Sequence, residues 1–332
     1  MPLIRLSNGV AFPADSAESF LDAATRAGVT MAYSCRNGRC SSCKCKLLHG
    51  NTVALSDELG LSEQEKADGW ILGCVRAAGD GDVMLETEDF GGIHPPVART
   101  VPCRIHSLTL LSADVMKVVL RLPPTVDFAF LPGQYVDVIG QHGVRRSYSL
   151  ASGPAPDKLI ELHIRAVPGG AMSDYWFNRA KENDLLRVNG PLGTFFLRHA
   201  GGRDLVFLAT GTGIAPVKAI LESIDLLPEG ERPRSITLYW GGRTPADLYW
   251  DGAGIKAAYR HVPVLSRAGD GWTGGRGYVQ DACLADGFDF ARAIVYACGS
   301  DAMIHSAKAL LVNAGLPERC FYSDAFVCSA SI

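Results

Sequence analysis

No apolar run in this 332-residue chain approaches the roughly 18–20 residues that a helix needs to cross a bilayer, so no membrane span is expected. The amino terminus, Met1-Pro2-Leu3-Ile4-Arg5, has no basic segment leading into an apolar one and does not read as a secretory leader, which points to the cytoplasm. Charge of one sign is not in excess either. The 32 basic residues face 35 acidic ones, and a net charge of −3 gives no reason to expect nucleic acid as a partner. There is no internal repeat and no low-complexity tract. What is there is the balance of a globular protein, 47% apolar and 20% charged, at a length that suggests two or three domains.

The ten cysteines are unevenly placed. Cys35, Cys40 and Cys43 form a Cys-x4-Cys-x2-Cys run, and Cys74 follows at a distance. In a reducing compartment such a cluster is metal-binding or catalytic more often than cross-linked. Zinc usually takes two close ligand pairs, whereas three thiolates on one loop and a fourth from a distant segment is the plant-type [2Fe–2S] pattern. Cys35, Cys40, Cys43 and Cys74 are therefore the candidate metal ligands. The residues between them, Arg36-Asn37-Gly38-Arg39 and Ser41-Ser42, are mostly small or flexible and can aim backbone N–H groups at the cluster sulfurs. Cys45 falls on the strand leaving the loop and reads as a small buried thiol. Arg36, Arg39, Lys44 and Lys46 place a basic rim in an otherwise acidic block. This rim is either a solvated edge or a dock for an acceptor protein that presents an acidic patch.

Three blocks follow one another. Residues 1 to about 90 hold 13 acids against 8 bases and end at Gly91-Gly92-Ile93-His94-Pro95-Pro96, a break in any regular element. Short alternating segments then predict strands at 103–110, 115–122, 134–139, 146–151, 159–167 and 184–189, with one helix over 171–180. This is the spacing of an antiparallel barrel. After residue 200 the rhythm changes. Strands at 205–209, 236–240, 262–265, 293–297 and 320–326 alternate with helices at 217–227 and 301–314, which implies a parallel sheet covered by helices. The expected boundaries are 1–91, a linker at 92–99, 100–200 and 201–332.

The middle block carries Pro132-Gly133-Gln134-Tyr135, Arg146-Ser147-Tyr148-Ser149, His163-Ile164-Arg165 and Gly169-Gly170-Ala171-Met172-Ser173. In this order they resemble the flavin motifs of the ferredoxin–NADP reductase superfamily. The resemblance implies FAD, with Arg146 on phosphate and Tyr148 against the isoalloxazine. The Ser149 hydroxyl would lie near its reactive nitrogen. His163, Arg165, Gly169, Gly170 and Ser173 form the family's pyrophosphate segment, where glycines and a helix start admit an anion. Phe326 resembles the aromatic residue that covers the second flavin face.

The last block has Gly211-Thr212-Gly213-Ile214-Ala215-Pro216 between a strand and a helix, the setting of a dinucleotide turn. Pro216 replaces the third glycine of the dehydrogenase fingerprint, which suits a helix first turn and matches the reductase superfamily's own variant. Cys298-Gly299 resembles the family's motif beside the nicotinamide. Arg243, Ser266 and Arg267 can receive a 2′-phosphate, while Asp247 would repel it or bond a free ribose hydroxyl. NADH is the expected donor, with NADPH possible.

The whole order resembles the reductase components of bacterial multicomponent (Rieske-type) oxygenases, the naphthalene dioxygenase group among them. It implies a β-grasp [2Fe–2S] ferredoxin domain, an antiparallel β-barrel FAD domain and a Rossmann-like parallel-sheet NAD(P) domain. The implied activity is electron transfer from NAD(P)H through FAD, with Tyr148, Ser149, Cys298 and Phe326 at the reacting centre, to the cluster. From there electrons would pass to an acceptor ferredoxin or terminal oxygenase. Reductases of deoxysugar (CDP-glucoseen type) dehydrases and of diiron monooxygenases share this architecture.

Overall fold

At Pro95 the chain divides into two units in a computed structural model that describes residues 1–88, 90, 92–140 and 143–326. One unit holds residues 1–95 together with the chain end from Asp324, and the other holds residues 96–323. Gly91, at the expected break, lies outside the described residues.

In the first unit Leu3–Leu6 pairs antiparallel with Ala11–Pro13 and parallel with Val83–Glu86. The sheet continues through Lys44–His49 to Trp70–Leu72, and this is the β-grasp frame. Its helix, Phe20–Arg26, starts where the Ser19 hydroxyl accepts from Asp22 N–H. That cap is worth about 1 kcal/mol. The helix buries Phe20, Leu21, Ala23 and Ala24 against Ile4, Phe12 and Leu85. Phe20 and Leu21 each contribute roughly 1.5–3 kcal/mol by leaving water.

The second unit contains two sheets. Six strands run in the order Arg145–Ser149, Tyr135–Ile139, Leu185–Leu192, Arg99–Ser112, Val115–Arg121, Leu159–Arg165. Every adjacent pair is antiparallel. A single bridge from Leu150 to Leu162 joins the two ends, so the sheet closes into the expected barrel. Its core is Val118, Leu120, Val136, Val138, Leu150, Leu162 and Trp176, among others. The helical stretch read at 171–180 is an α-turn, Ala171–Asp174, widening into a π-turn, Tyr175–Arg179.

The other sheet has the order Gly275–Arg276, Arg260–Leu265, Ser235–Gly242, Asp204–Thr210, Ala293–Gly299, Phe321–Ala325, and its first four pairings are parallel. The helix expected from Val217 begins three residues earlier, at Ile214. Pro216 then sits in the first turn, where an N–H has no intrahelical partner to lose. Nine of its eleven residues are buried, Lys218 included, as a helix that is apolar almost all round requires. The helix Val279–Ala285 is not signalled in the sequence, because at seven residues its periodicity is short and a Gly-rich segment precedes it.

Candidate cofactor sites

The thiols of Cys35, Cys40, Cys43 and Cys74 lie together in the first unit as two pairs. Cys35 and Cys40 are hydrogen-bonded through their side chains, as are Cys43 and Cys74. Among the described residues no three His, Cys, Asp or Glu side chains converge on one metal position. Two pairs of thiols are what a two-iron cluster asks for, two thiolates to each iron. The contact with Cys40 lowers the Cys35 pKa to about 6 and that with Cys43 lowers Cys74, while the same contacts and burial raise Cys40 and Cys43, so one thiol of each pair is the more acidic. The loop is held open by Arg36 and Ser41 at φ 58° and 60°, a left-handed geometry that costs a non-glycine residue about 1–2 kcal/mol. A Cβ on Gly38 would meet the Asp57 carbonyl at 2.4 Å, and Gly60 N–H donates to the Gly38 carbonyl at 2.8 Å. Segment 55–60 therefore braces the loop. The residues fit a [2Fe–2S] cluster. Cys45 stands apart on its strand, 1% exposed, its thiol pushed up to about 12 by burial.

The basic rim is smaller than its sequence suggests. Arg36 pairs with Asp22. Lys44 pairs with Glu65 at 2.6 Å and lies 4.1 Å over the Trp70 ring, with Lys46 at 5.6 Å. Arg39 is exposed and has no ion pair among the described residues. Ser34, beside Cys35, donates to Asp324. Phe326, two residues on, is 37% exposed.

In the barrel, the two faces of Arg145–Ser149 have different work. Ser147 donates to Asp137 at 2.6 Å and Arg145 pairs with the same carboxylate at 3.6 Å. Arg146 and Tyr148 point the other way. Arg146 has no carboxylate partner among the described residues and stays available to a phosphate. The Tyr148 hydroxyl accepts from Trp176 Nε1 at 3.1 Å, and burial raises its pKa to about 12, so it remains a neutral phenol. Ser149 is buried. Gly169 has φ 74°, Gly170 precedes the short helix, and Ser173 Oγ accepts from Val167 N–H at 2.9 Å, leaving its own proton to donate. Gly133, at φ 102°, packs so that a Cβ would meet the Phe195 carbonyl at 2.0 Å. This arrangement suits a flavin with a phosphate-bearing tail.

His163 and Arg165 are engaged elsewhere than at the glycine pair. His163 contacts Glu161 at 2.9 Å and Tyr249 at 3.2 Å. Arg165 pairs with Asp114 at 3.3 Å and Asp247 at 3.4 Å and lies against Gly211, whose added Cβ would meet its Nη1 at 2.9 Å. Arg165 thus stands by the nucleotide turn.

That turn is shaped by contact with a neighbouring strand end. Gly211 has φ 54°, and its carbonyl accepts from Trp240 Nε1 at 3.0 Å. A Cβ on Gly213 would meet the Cys298 carbonyl at 2.2 Å, and one on Gly299 would meet Thr210 Oγ1 at 2.0 Å. Gly211, Thr212, Gly213, Cys298 and Gly299 are thereby brought to the carboxyl ends of adjacent strands, where open parallel sheets bind ligands. Thr212 and the half-turn Gly211–Gly213 lead straight into Pro216.

Asp247 does not take the part expected of it. Its carboxylate caps a turn by accepting from Arg243 N–H at 3.0 Å and Thr244 N–H at 2.9 Å, and its other oxygen faces Arg165. It is committed to the turn and to Arg165, and lies 4.0 Å from the Arg243 guanidinium. Arg267 N–H donates to the Arg243 carbonyl at 2.9 Å, which sets the two exposed arginines and Ser266 side by side. Replacing both arginines by alanine should raise the KM for NADPH about 10-fold or more and leave that for NADH within about 2-fold; steady-state kinetics with each nucleotide will show it.

Comparison with known proteins is consistent with this geometry. Residues 4–78 match the 2Fe-2S iron-sulfur cluster binding domain, 102–197 the oxidoreductase FAD-binding domain and 207–309 the oxidoreductase NAD-binding domain. The chain is 40% identical over 324 residues, 96% of each chain, to the CDP-6-deoxy-L-threo-D-glycero-4-hexulose-3-dehydrase reductase of Yersinia pestis. The chain belongs to the flavin iron–sulfur reductases of the ferredoxin–NADP reductase superfamily. This reductase is also 34% identical to reductase component 2 of the terephthalate 1,2-dioxygenase of a Comamonas species, over 96% of this chain and 94% of the other. Its fold matches the crystal structure of the Amycolatopsis cytochrome P450 reductase GcoB with TM-score 0.76 and 29% identity, covering 99% and 100% of the two chains. The reductase takes electrons from NAD(P)H and uses FAD and a [2Fe–2S] cluster to transfer them. Among its described residues no helix is long and apolar enough to cross a membrane.

Proposed function

We propose that this reductase delivers single electrons to a separate protein, a ferredoxin or terminal oxygenase of an aromatic-ring hydroxylating system, and that it does so through the surface around Arg39. The observation that carries the reading is the ordered set of three cofactor regions in one chain. FAD, when bound, accepts a hydride and releases electrons one at a time. The chain's own residues do the rest. Arg146 and the Gly169–Gly170 turn would hold phosphate, Tyr148 and Ser149 would line the ring, and Cys298 with Gly299 would seat the nicotinamide. Cys35, Cys40, Cys43 and Cys74 would bind the cluster and Phe326 would cover the flavin. NADH is the proposed donor, and the exposed arginine pair at 243 and 267 supports use of NADPH as well. A second reading, a dehydrase of deoxysugar synthesis as acceptor, is favoured by the 40% identity to the Yersinia pestis reductase.

Gly60 packs on the Arg39 carbonyl, and its chain neighbour Leu59 is exposed by 64%. With Arg36 and Lys44 already neutralised and Lys46 lying over the Trp70 ring, Arg39 is the exposed cation of the rim left to meet an acidic partner. Arg39→Glu should slow reduction of the true acceptor about 5–10-fold at low salt, with flavin reduction by NADH unchanged. Stopped-flow mixing of the reduced enzyme with a Rieske-type ferredoxin and, separately, with a deoxysugar dehydrase tests both readings. Fast, Arg39-dependent transfer to only one of them selects it, and transfer indifferent to Arg39 removes the proposed dock.

A further inference from the structure

The seam between the barrel and the nucleotide sheet holds a buried polar chain of which only His163 belongs to a cofactor motif. Lys218, on the helix leaving the nucleotide turn, is 9% exposed. Its ammonium donates to the Ala151 carbonyl at 2.9 Å and to Glu222 at 2.7 Å, and lies 3.2 Å from Glu161. The same Glu161 oxygen is 2.9 Å from His163 Nε2, and His163 Nδ1 is 3.2 Å from the Tyr249 hydroxyl. Glu222 in turn accepts from Gly153 N–H at 3.3 Å.

The chemistry of the chain fixes its protons. Burial opposes a charged Glu161, but the hydrogen bond from His163 and the charge of Lys218 outweigh it and hold its pKa near 2. Burial also lowers the pKa of His163, so the ring is neutral at pH 7. An ionised Glu161 can only accept, so Nε2 carries the imidazole proton. Nδ1 is left as an acceptor, and Tyr249 must donate to it. Every link then has one donor and one acceptor.

Such a chain is a poor means of gaining stability, because well-packed apolar residues hold a seam as well or better. It differs from apolar contact in being directional. Packing does not fix this seam by itself. A cavity of about 210 Å³ opens beside the chain, lined by Leu111, Lys117, Tyr249 and Trp250 along with Glu161, His163 and Lys218. Lys218 reaches across it. It lies five residues beyond Gly213 on a continuous turn and helix, and it grips a carbonyl two residues beyond Ser149.

We infer that Lys218 is a positioning residue for hydride transfer: through Ala151, Glu161 and Glu222 it sets the distance between the strand proposed to carry the flavin and the turn proposed to carry the nicotinamide nucleotide. The inference rests on those two proposed placements. Lys218 touches neither cofactor segment's reacting groups and acts through the backbone it holds.

The test uses the full holoenzyme with Lys218→Met. Hydride transfer from NADH to flavin in stopped flow should fall about 10-fold or more while the Kd for NADH stays within about 2-fold, since misplacement by a fraction of an ångström affects reaction more than binding. The primary isotope effect with deuterated NADH should rise, and hydrogen exchange at residues 151–153 and 213–218 should accelerate together. Tyr249→Phe, which removes one terminal hydroxyl, should move all readouts the same way by less, and it decides the matter if Lys218→Met does not fold. A lowered Tm with unchanged hydride transfer would reduce Lys218 to a structural role and overturn the inference. A weakened Kd with an unchanged rate would make it a binding residue and do the same. Failure of NADH to reduce the flavin of the unsubstituted protein would instead overturn the cofactor placements beneath it.

Discussion

Cys40→Ala should yield a protein without iron that still oxidises NADH. Reduction of a one-electron protein acceptor should fall at least 100-fold, about 2.7 kcal/mol on the barrier, while NADH-dependent ferricyanide reduction at the flavin stays within about 3-fold. The asymmetry follows from the division of the chain. The four thiols belong to one unit, and the barrel and nucleotide sheet belong to the other. Cys40 is hydrogen-bonded to Cys35, so with the proposed ligands its loss would leave one iron with a single thiolate. Without the cluster, only the Arg36–Asp22 pair and the Ser41 hydroxyl on the Gly60 carbonyl offset the left-handed cost at Arg36 and Ser41, and the loop from 35 to 43 should become cleavable by protease in the variant and protected in the parent. Iron analysis, the two acceptor assays and limited proteolysis check this together. An iron-free variant that reduced the protein acceptor at the parent rate would remove these cysteines from the electron path.

Gly213→Ala should abolish use of the nucleotide and spare the other cofactors. The added Cβ would meet the Cys298 carbonyl oxygen at 2.2 Å and its carbon at 2.6 Å. Both are backbone atoms of a strand buried along its whole length, so no rotamer relieves the contact, and the turn must lift away from the strand end. A shift of about 1 Å at this point costs on the order of 100-fold in hydride transfer. Flavin and cluster should still be reduced by light-driven photoreduction, which bypasses the nucleotide. Gly230→Ala is the matched control, because a Cβ there meets nothing within 4 Å, and it should leave the rate unchanged. Normal NADH turnover in Gly213→Ala would place the nucleotide elsewhere.

Much of this was legible in the residues, and the part that was not has a physical pattern. The spacing of Cys35, Cys40 and Cys43 is a local property, as is the alternation along Val115–Arg121, and the structure has a strand at 115–121 and the three thiols on one loop. The parallel sheet was read from short runs such as Asp204–Thr210, whose first six residues are buried. What escaped depends on which distant groups meet. Lys218 and Glu222, four apart on a helix, look like an ordinary surface pair, and only the fold shows the barrel covering them. Asp247 reads as a charge near the ribose because it follows Arg243 closely in the chain, whereas its hydrogen bonds to Arg243 and Thr244 N–H and its pair with Arg165 depend on the fold. Arg36 and Lys44 looked like free charges because Asp22 and Glu65 are remote in the chain.

The closure of the barrel has one more consequence. The strand Arg145–Ser149 is bonded along its length to Tyr135–Ile139, but on its other edge the chain meets Leu159–Arg165 just past its end, through the bridge at Leu150 and the bond from Ala151 N–H to the Glu161 carbonyl. The ring of strands is therefore a strap with its buckle just past Ser149. Backbone bonds are fewest there, so local opening costs least at that point and need not disturb the rest of the core. A bulky prosthetic group could then be admitted or lost without global unfolding, and the bonds of Ala151 to the Glu161 carbonyl and to Lys218 are among those that keep the buckle shut.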